Sequence, residues 1–213
     1  MKKFRKKSND EDTPKKKHRF RFGYWFLVFI VTFAILCFVA GIGFCYYIVK
    51  SAPEFNKDNM FEKESTRIFD VDGNIYATLG SEKREKVSYD DLPQVLIDAI
   101  IATEDSRFFQ HNGFDAPRFL KASISQVLGR GGGGASTLTM QLSKLEYTDF
   151  EDQGIKGIIR KFTDIYMAVF KLEKAFTKEE IIEYYVNIPC MGGNIYGVQQ
   201  ASQYYFGKDV GDI

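Results

Sequence analysis

Cysteine is scarce in this chain: there are three, and two of them, Cys37 and Cys45, sit inside one apolar run. Cys190 is left alone in the remainder, so that part cannot close an internal disulfide, and no cysteine pair has metal-ligand spacing. Charge is missing altogether from residues 22–49. No Gly-Lys-Ser or Gly-Lys-Thr follows the glycine run at 131–134, which excludes a phosphate-binding loop. Asp70-Val71-Asp72-Gly73 has the start of a calcium loop but lacks its later glutamate, so a turn is the better reading. There is no internal repeat, and the glycines are the one low-complexity segment. A strongly basic body is missing too. Before Lys50 ten Lys/Arg face three Asp/Glu, whereas from Lys50 onward 19 face 25. That balance argues against nucleic acid as a partner. What the chain does have is 20 Phe and 12 Tyr, which favours a packed core and an apolar groove over disorder.

The uncharged run is long enough to span a bilayer, which takes roughly 20 apolar residues as a helix. Tyr24, Trp25, Tyr46 and Tyr47 near its ends suit the two interfaces. A cleaved signal peptide is the competing reading, but its apolar region is shorter, and Ser51-Ala52-Pro53 is a poor cleavage signal. All ten early basic residues precede the run, so the positive-inside rule keeps that side cytoplasmic and the body outside. The organisation expected is a basic cytoplasmic tail at 1–21, a transmembrane helix at 22–49, a polar linker at 50–64 and one domain at 65–213.

Within the domain, β-rich runs at 65–69 and 75–79 flank an Asp-Gly turn and predict a hairpin. Asp91 and Pro93 read as the N-cap and first turn of a helix running up to Glu104. Further helices are predicted over 118–128, from Leu138 to about Leu145, and over 155–174, where Ile158, Ile159, Phe162, Ile165, Tyr166, Val169 and Phe170 repeat at helical spacing. Thr177-Lys178-Glu179-Glu180 is a capping box opening a helix through about Asn187. A turn at 192–197 and a helix over 198–205 follow. The body is mainly α, with a small β-hairpin.

Glu104-Asp105 ends an apolar helix, where paired acids are either a solvated helix end or a carboxylate held beside a cleft. Arg160 and Asp164, four apart, share a helix face. With Lys161 they form either a surface ion pair or an anion-binding edge.

Four blocks, in this order, resemble the motifs of the peptidoglycan glycosyltransferase family, found in class A penicillin-binding proteins and in monofunctional wall polymerases. The first runs from Glu104 and Asp105 through Phe108, Phe109 and His111 to Gly113. The second runs from Gly134 through Ser136, Thr137 and Gln141 to Lys144. The third is Arg160, Lys161 and the stretch to Glu173. The fourth runs from Lys178 through Glu183 and Tyr185 to Asn187, followed by Gly197 and the stretch from Tyr205 to Lys208. The resemblance implies a lysozyme-like helical domain with a small jaw, polymerising lipid II into a β-1,4 glycan with inversion. The growing strand on a polyprenyl pyrophosphate would be donor. Glu104 would be the general base and Asp164 the second acid. Lys144, Arg160, Lys161, Ser136, Thr137 and Gln141 would bind substrate, with Asp105, His111 and Asn187 in support. Asp105 and Asn187 read as shape-holding residues and His111 as a structural hydrogen-bonding residue. The resemblance requires no cofactor and no metal site; a magnesium or manganese ion is compatible with pyrophosphate chemistry. The implied partners are lipid II, the nascent strand, the membrane and the protein machinery of division or elongation. The implied location is the bacterial cell membrane. Phe108, Phe109, Phe114 and Phe119 are candidates for an apolar surface that meets the bilayer, although each ring taken singly reads better as core.

Two positions depart from the family pattern. Asp164 stands where a glutamate is usual, and Met140 where a glutamine is usual. The sequence also stops before the family's closing helices, which reads as a C-terminal truncation. These points motivate a second expectation: a weak or truncated member that binds lipid II or a division partner without polymerising. A lysozyme-like hydrolase is disfavoured, because hydrolysis needs no cation cluster for a pyrophosphate.

Overall fold

A computed structural model describes residues 18–57, 60, 66–72, 75–79, 83–130, 134–147 and 154–213. The basic tail up to residue 17, Ser65, Gly73 and Asn74 of the hairpin, and the glycines at 131–133 lie outside the described residues. The chain divides after Tyr47 into two compact units. Helix α1 (His18–Ser51) is unbroken. Its stretch Gly23–Ser51 is long and apolar enough to cross a membrane. Trp25, Phe33, Leu36 and Phe38 along it are exposed, a cost in water that lipid removes.

The second unit is mainly helical. The first sheet is the expected hairpin, β1 (Thr66–Phe69) antiparallel to β2 (Ile75–Leu79), with Thr66 opposite Leu79. The Asp70 side chain accepts from the Asp72 N–H at 2.9 Å, a side-chain turn that suits aspartate. A second sheet was not anticipated. In it β3 (Lys83–Arg84) runs parallel to β5 (Ile195–Tyr196), and β5 is antiparallel to β4 (Cys190–Gly192). The segment expected as a plain turn at 192–197 therefore holds the last residue of β4 and all of β5.

Asp91 is not the cap of the next helix. It closes a 3-10 turn at Tyr89–Asp91, where its carboxylate accepts from the Ser88 hydroxyl. Helix α2 (Gln94–Glu104) is capped by Pro93, whose carbonyl takes the Leu96 and Ile97 N–H groups. It stops because Asp105 leaves helical conformation, at φ −153° and ψ 72°. Helix α3 (Ala116–Val127) starts two residues earlier than expected: Asp115 caps it by accepting from the Arg118 N–H at 2.9 Å. Helix α4 is Leu138–Tyr147. Helix α5 (Gly154–Met167) passes into a wide π turn, Ala168–Leu172, and then the short α6 (Glu173–Ala175). The single helix expected over 155–174 is thus interrupted. Gly113, at φ +81°, backs onto that π turn: a Cβ there would lie 2.9 Å from the Ala168 carbonyl carbon. Helix α7 (Lys178–Asn187) opens with the expected capping box, both halves formed. Helix α8 is Val198–Phe206.

The core gathers on α4 and α7. Leu138, Leu142, Ile181, Ile182 and Val186 are buried together with Phe108 and Leu172, each such side chain contributing about 1.5–3 kcal/mol. Of the expected linker, Met60 is buried in this core and Phe55 packs against it, its ring 6.0 Å from that of Phe176. Lys57 donates to the Ala175 carbonyl. The described part of 50–64 is therefore packed structure rather than a free tether.

Asn187 ties the two ends of the unit together. Fully buried, it donates to the carbonyls of Val87 and Glu183 at 2.8 Å and accepts from the Val87 N–H at 3.0 Å. Glu183 accepts from the Tyr89 N–H one turn earlier. Asn187→Ala strands the buried N–H and C=O of Val87, so it should cost about 3 kcal/mol in urea unfolding followed by circular dichroism. A loss under about 1 kcal/mol would mean those groups find other partners.

Candidate active site

The site starts from one buried carboxylate. Asp105 is fully buried. It accepts from the Leu138 N–H at 3.0 Å, lies 3.0 Å from His111 Nε2, and receives Arg118 Nη1 at 3.5 Å. One side chain thereby fastens the end of α2, the start of α4, the His111 loop and α3. Turning Asp105 inward leaves its neighbour Glu104 on the outer side, exposed, at the rim of a cleft.

That cleft holds about 480 Å³. Glu104 and Thr103 form one side. Ser136, Met140, Gln141 and Lys144 from α4 and its lead-in form the floor. Arg160, Lys161 and Asp164 from α5 form the far side, and Tyr185 of α7 closes the end. The sequence-predicted residues Glu104, Asp164, Lys144, Arg160, Lys161, Ser136 and Gln141 are therefore brought to one cavity. Thr137, Asp105, His111 and Asn187 do not line it. Thr137 is fully buried and is a structural cap: its hydroxyl donates to the Gly113 carbonyl at 2.7 Å and accepts from the Met140 N–H. This corrects its expected place among the substrate contacts, because a fully buried hydroxyl whose one proton is given to a backbone carbonyl neither lines the cleft nor has a proton to donate to a ligand.

The far side is cationic. Lys161 donates to the Ser136 hydroxyl. Burial pushes the Lys161 amine below the ordinary lysine range, Asp164 opposes that shift, and Arg160 and Lys144 add to it. Arg160 Nε and Nη1 are buried and meet no hydrogen-bond acceptor among the described residues. Buried guanidinium N–H groups without acceptors are costly and are relieved by an anion that can take them. Asp164, itself buried, sits beside these cations, 3.4 Å from the Ser143 hydroxyl. A second hollow of about 580 Å³ adjoins the cleft, sharing Gly134, Ser136, Arg160 and Lys161, with apolar walls from Phe119, Ile158 and Phe162. Cations on one side and apolar walls on the other suit a charged head with a greasy tail. Among the described residues no three His, Cys, Asp or Glu side chains converge as a cation cage.

Of the four rings offered for a membrane-facing surface, each singly the better core residue, Phe108 is fully buried beneath the Lys178 ammonium, 4.2 Å from its ring centroid, Phe114 and Phe119 are half-buried and Phe109 is exposed. Leu120, Ile124 and Val127 of α3 and Ile155 and Ile158 of α5 are exposed as well. Tyr185 stood in the fourth block with no role assigned to it, and the support beneath His111 was not anticipated. Lys178 donates to the His111 carbonyl at 2.8 Å and to Glu173 at 2.7 Å, and Thr139 donates to Glu173 at 2.6 Å. The signal was a tyrosine among isoleucines on the inward face of α7, whose hydroxyl needs a partner once buried.

One consequence is independent of any substrate. The Lys161 amine should deprotonate below the pH at which an ordinary lysine does, read by NMR titration of 13C-dimethylated lysines. Titration in the ordinary range would mean that Lys161 is not held in a desolvated site.

Comparison with known proteins bears on this cleft. A transglycosylase family model matches residues 72–213. Penicillin-binding protein 1A of Streptococcus oralis is 38% identical over 196 residues, covering 91% of this chain and 30% of that protein. Penicillin-binding protein 1A of Streptococcus pneumoniae is 37% identical over 185 residues, covering 86% of this chain and 25% of that protein. The Escherichia coli protein of the same name is 34% identical over 195 residues, covering 88% and 22%. The chain spans less than a third of the length of these relatives. The family match takes in every residue of the cleft, and the chain belongs to the transglycosylase family, the peptidoglycan glycosyltransferases.

Proposed function

We propose that this chain polymerises lipid II at the membrane surface. The supporting observation is one cleft lined by both an exposed carboxylate and a cluster of half-buried cations, one of which has buried donors without acceptors among the described residues. A sugar hydroxyl is a poor nucleophile, and a carboxylate within hydrogen-bond reach takes its proton as it attacks. Glu104 is placed for that role. The leaving group is a pyrophosphate, already anionic, which needs cations rather than a proton. Arg160 and Lys161 supply them, with Lys144 alongside. In this reading the hydroxyl attacks the anomeric carbon on the face opposite the departing pyrophosphate, which inverts it to a β-1,4 bond. The adjoining hollow with Phe119, Ile158 and Phe162 takes the first part of the polyprenyl tail. Asp164 orients the cations beside it and substitutes for the longer acid usual in the family.

The anchor belongs to this reading. The stretch Gly23–Ser51 crosses the bacterial cell membrane with the basic tail inside, and the lipid-linked substrate is confined to a membrane as well. No resident cofactor is assigned a role, and a magnesium or manganese ion would arrive with the pyrophosphate. A second reading, binding of lipid II without polymerisation, draws on Asp164, whose carboxylate is one methylene shorter than the family's.

Detergent-solubilised protein incubated with labelled lipid II should form glycan polymer. Glu104→Gln should lower that rate by about 10²–10⁴-fold, the usual worth of a general base. Arg160→Ala should lower it by about 100-fold or more, as loss of a preorganised donor does. Asp164→Glu should preserve or raise it. Binding without polymer would establish the second reading, shortening of preformed glycan would establish a hydrolase, and loss of activity in Asp164→Glu would show that this position does not correspond to the family's acid.

A further inference from the structure

Glu104 is the last residue of α2 and is exposed. A glutamate in that setting rotates freely, which is a poor state for a base that must meet one hydroxyl. One contact restrains it: Gln141 Nε2 donates to Glu104 Oε2 at 2.9 Å. The same amide is held from behind, where the Tyr185 hydroxyl donates to Gln141 Oε1 at 3.1 Å. The polarity of this chain of three is forced. An ionised carboxylate only accepts, so the amide must turn its NH₂ to Glu104 and its oxygen to Tyr185. Tyr185 must then donate. Burial, and after it the Glu104 charge, raise the Tyr185 phenol, so it keeps its proton.

Tyr185 itself is well anchored. It stands on α7 between Ile181, Ile182, Val186 and Asn187, all buried. The capping box fixes the start of that helix, and Asn187 and Glu183 fasten it to residues 87–89. A rigid helix thus aims a hydroxyl at an amide, and the amide aims a carboxylate.

We propose that Tyr185 is a positioning residue for Glu104, acting through Gln141, and that it leaves Glu104 Oε1 as the oxygen that takes the proton. Oε2 is engaged by the amide, and Oε1 has no partner among the described residues. The inference rests on the polymerase reading above. In the step it serves, the acceptor hydroxyl gives its proton to Oε1 as its oxygen bonds to the anomeric carbon. The bond from that carbon to the pyrophosphate breaks, and the electron pair leaves with the pyrophosphate. Without the Tyr185 hydroxyl the amide is held only by the carboxylate it is meant to position, and its side chain and Glu104 move together.

The test uses the full chain in detergent. Tyr185→Phe keeps the ring and removes the hydroxyl. It should lower kcat for polymer formation by about tenfold, the effect of one lost hydrogen bond of about 1.4 kcal/mol, while changing KM by less than about twofold. Gln141→Leu should lower kcat at least as much, and the double variant should be no worse than Gln141→Leu alone, since residues acting in series are not additive. A 4-aminophenylalanine at position 185, which restores a donor, should recover activity. Additive losses, or a Tyr185→Phe enzyme with unchanged kcat, would overturn the proposal. A readout without catalysis separates it from the polymerase reading. In protein labelled with 15N-glutamine, the Gln141 side-chain amide pair should shift in Tyr185→Phe. If the amide shifts but the wild type makes no polymer, the polymerase reading fails and the relay stands. If the amide is unmoved, the relay fails whatever the activity.

Discussion

Asp105 is the interaction on which the structure around the cleft depends. A buried carboxylate is tolerated only when its oxygens are satisfied, and here the N–H of Leu138, the ring of His111 and the guanidinium of Arg118 share that task. Each partner comes from a different element, so the charge cannot be satisfied unless α2, α3, α4 and the intervening loop are all in place. The same constraint makes α2 stop where it does. Breaking the helix at Asp105 sends one of two adjacent acids inward and the other to the cleft. The two carboxylates therefore have different surroundings with no difference in chemistry.

Support for this arrangement continues beneath it. Lys178 and Glu173 form a pair whose side chains are largely buried, with Thr139 and the His111 carbonyl completing it. Thr137 and Gly113 bring the start of α4 against the π turn. The far side of the cleft is less relaxed. Arg160 has buried donors without acceptors, and Lys161 is desolvated. Among the described residues Arg160 lines the cleft with buried donors that meet no acceptor, which suits an anion the protein does not itself supply.

Much of this was legible in the chain. The capping box at Thr177, the hairpin at the Asp-Gly turn and the amphipathic run of α5 are local signals, written within one or two turns of sequence. The cleft residues were legible because four blocks resemble one family in order. Other features were not. Strands β3, β4 and β5 are two or three residues long, too short to leave a period. Asp91 looked like a helix cap because both readings need an acid before a proline, and a 3-10 turn took it. Thr137 was read as a ligand contact because a hydroxyl serves a cap or a substrate equally well until its burial is known. Tyr185 was hidden by its own helix spacing, which is that of core. Which of Phe108 and Phe109 faces inward was open, because an aromatic pair carries no sign of it.

The central claim is that one cleft couples proton removal at Glu104 to departure of a pyrophosphate at Arg160 and Lys161. Following polyprenyl pyrophosphate release and glycan growth in the same reaction tests it most directly. The coupled site predicts one pyrophosphate released for each sugar linkage formed, with both falling together when Glu104 is replaced by glutamine. Pyrophosphate release that continues at the wild-type rate while glycan growth stops would contradict it.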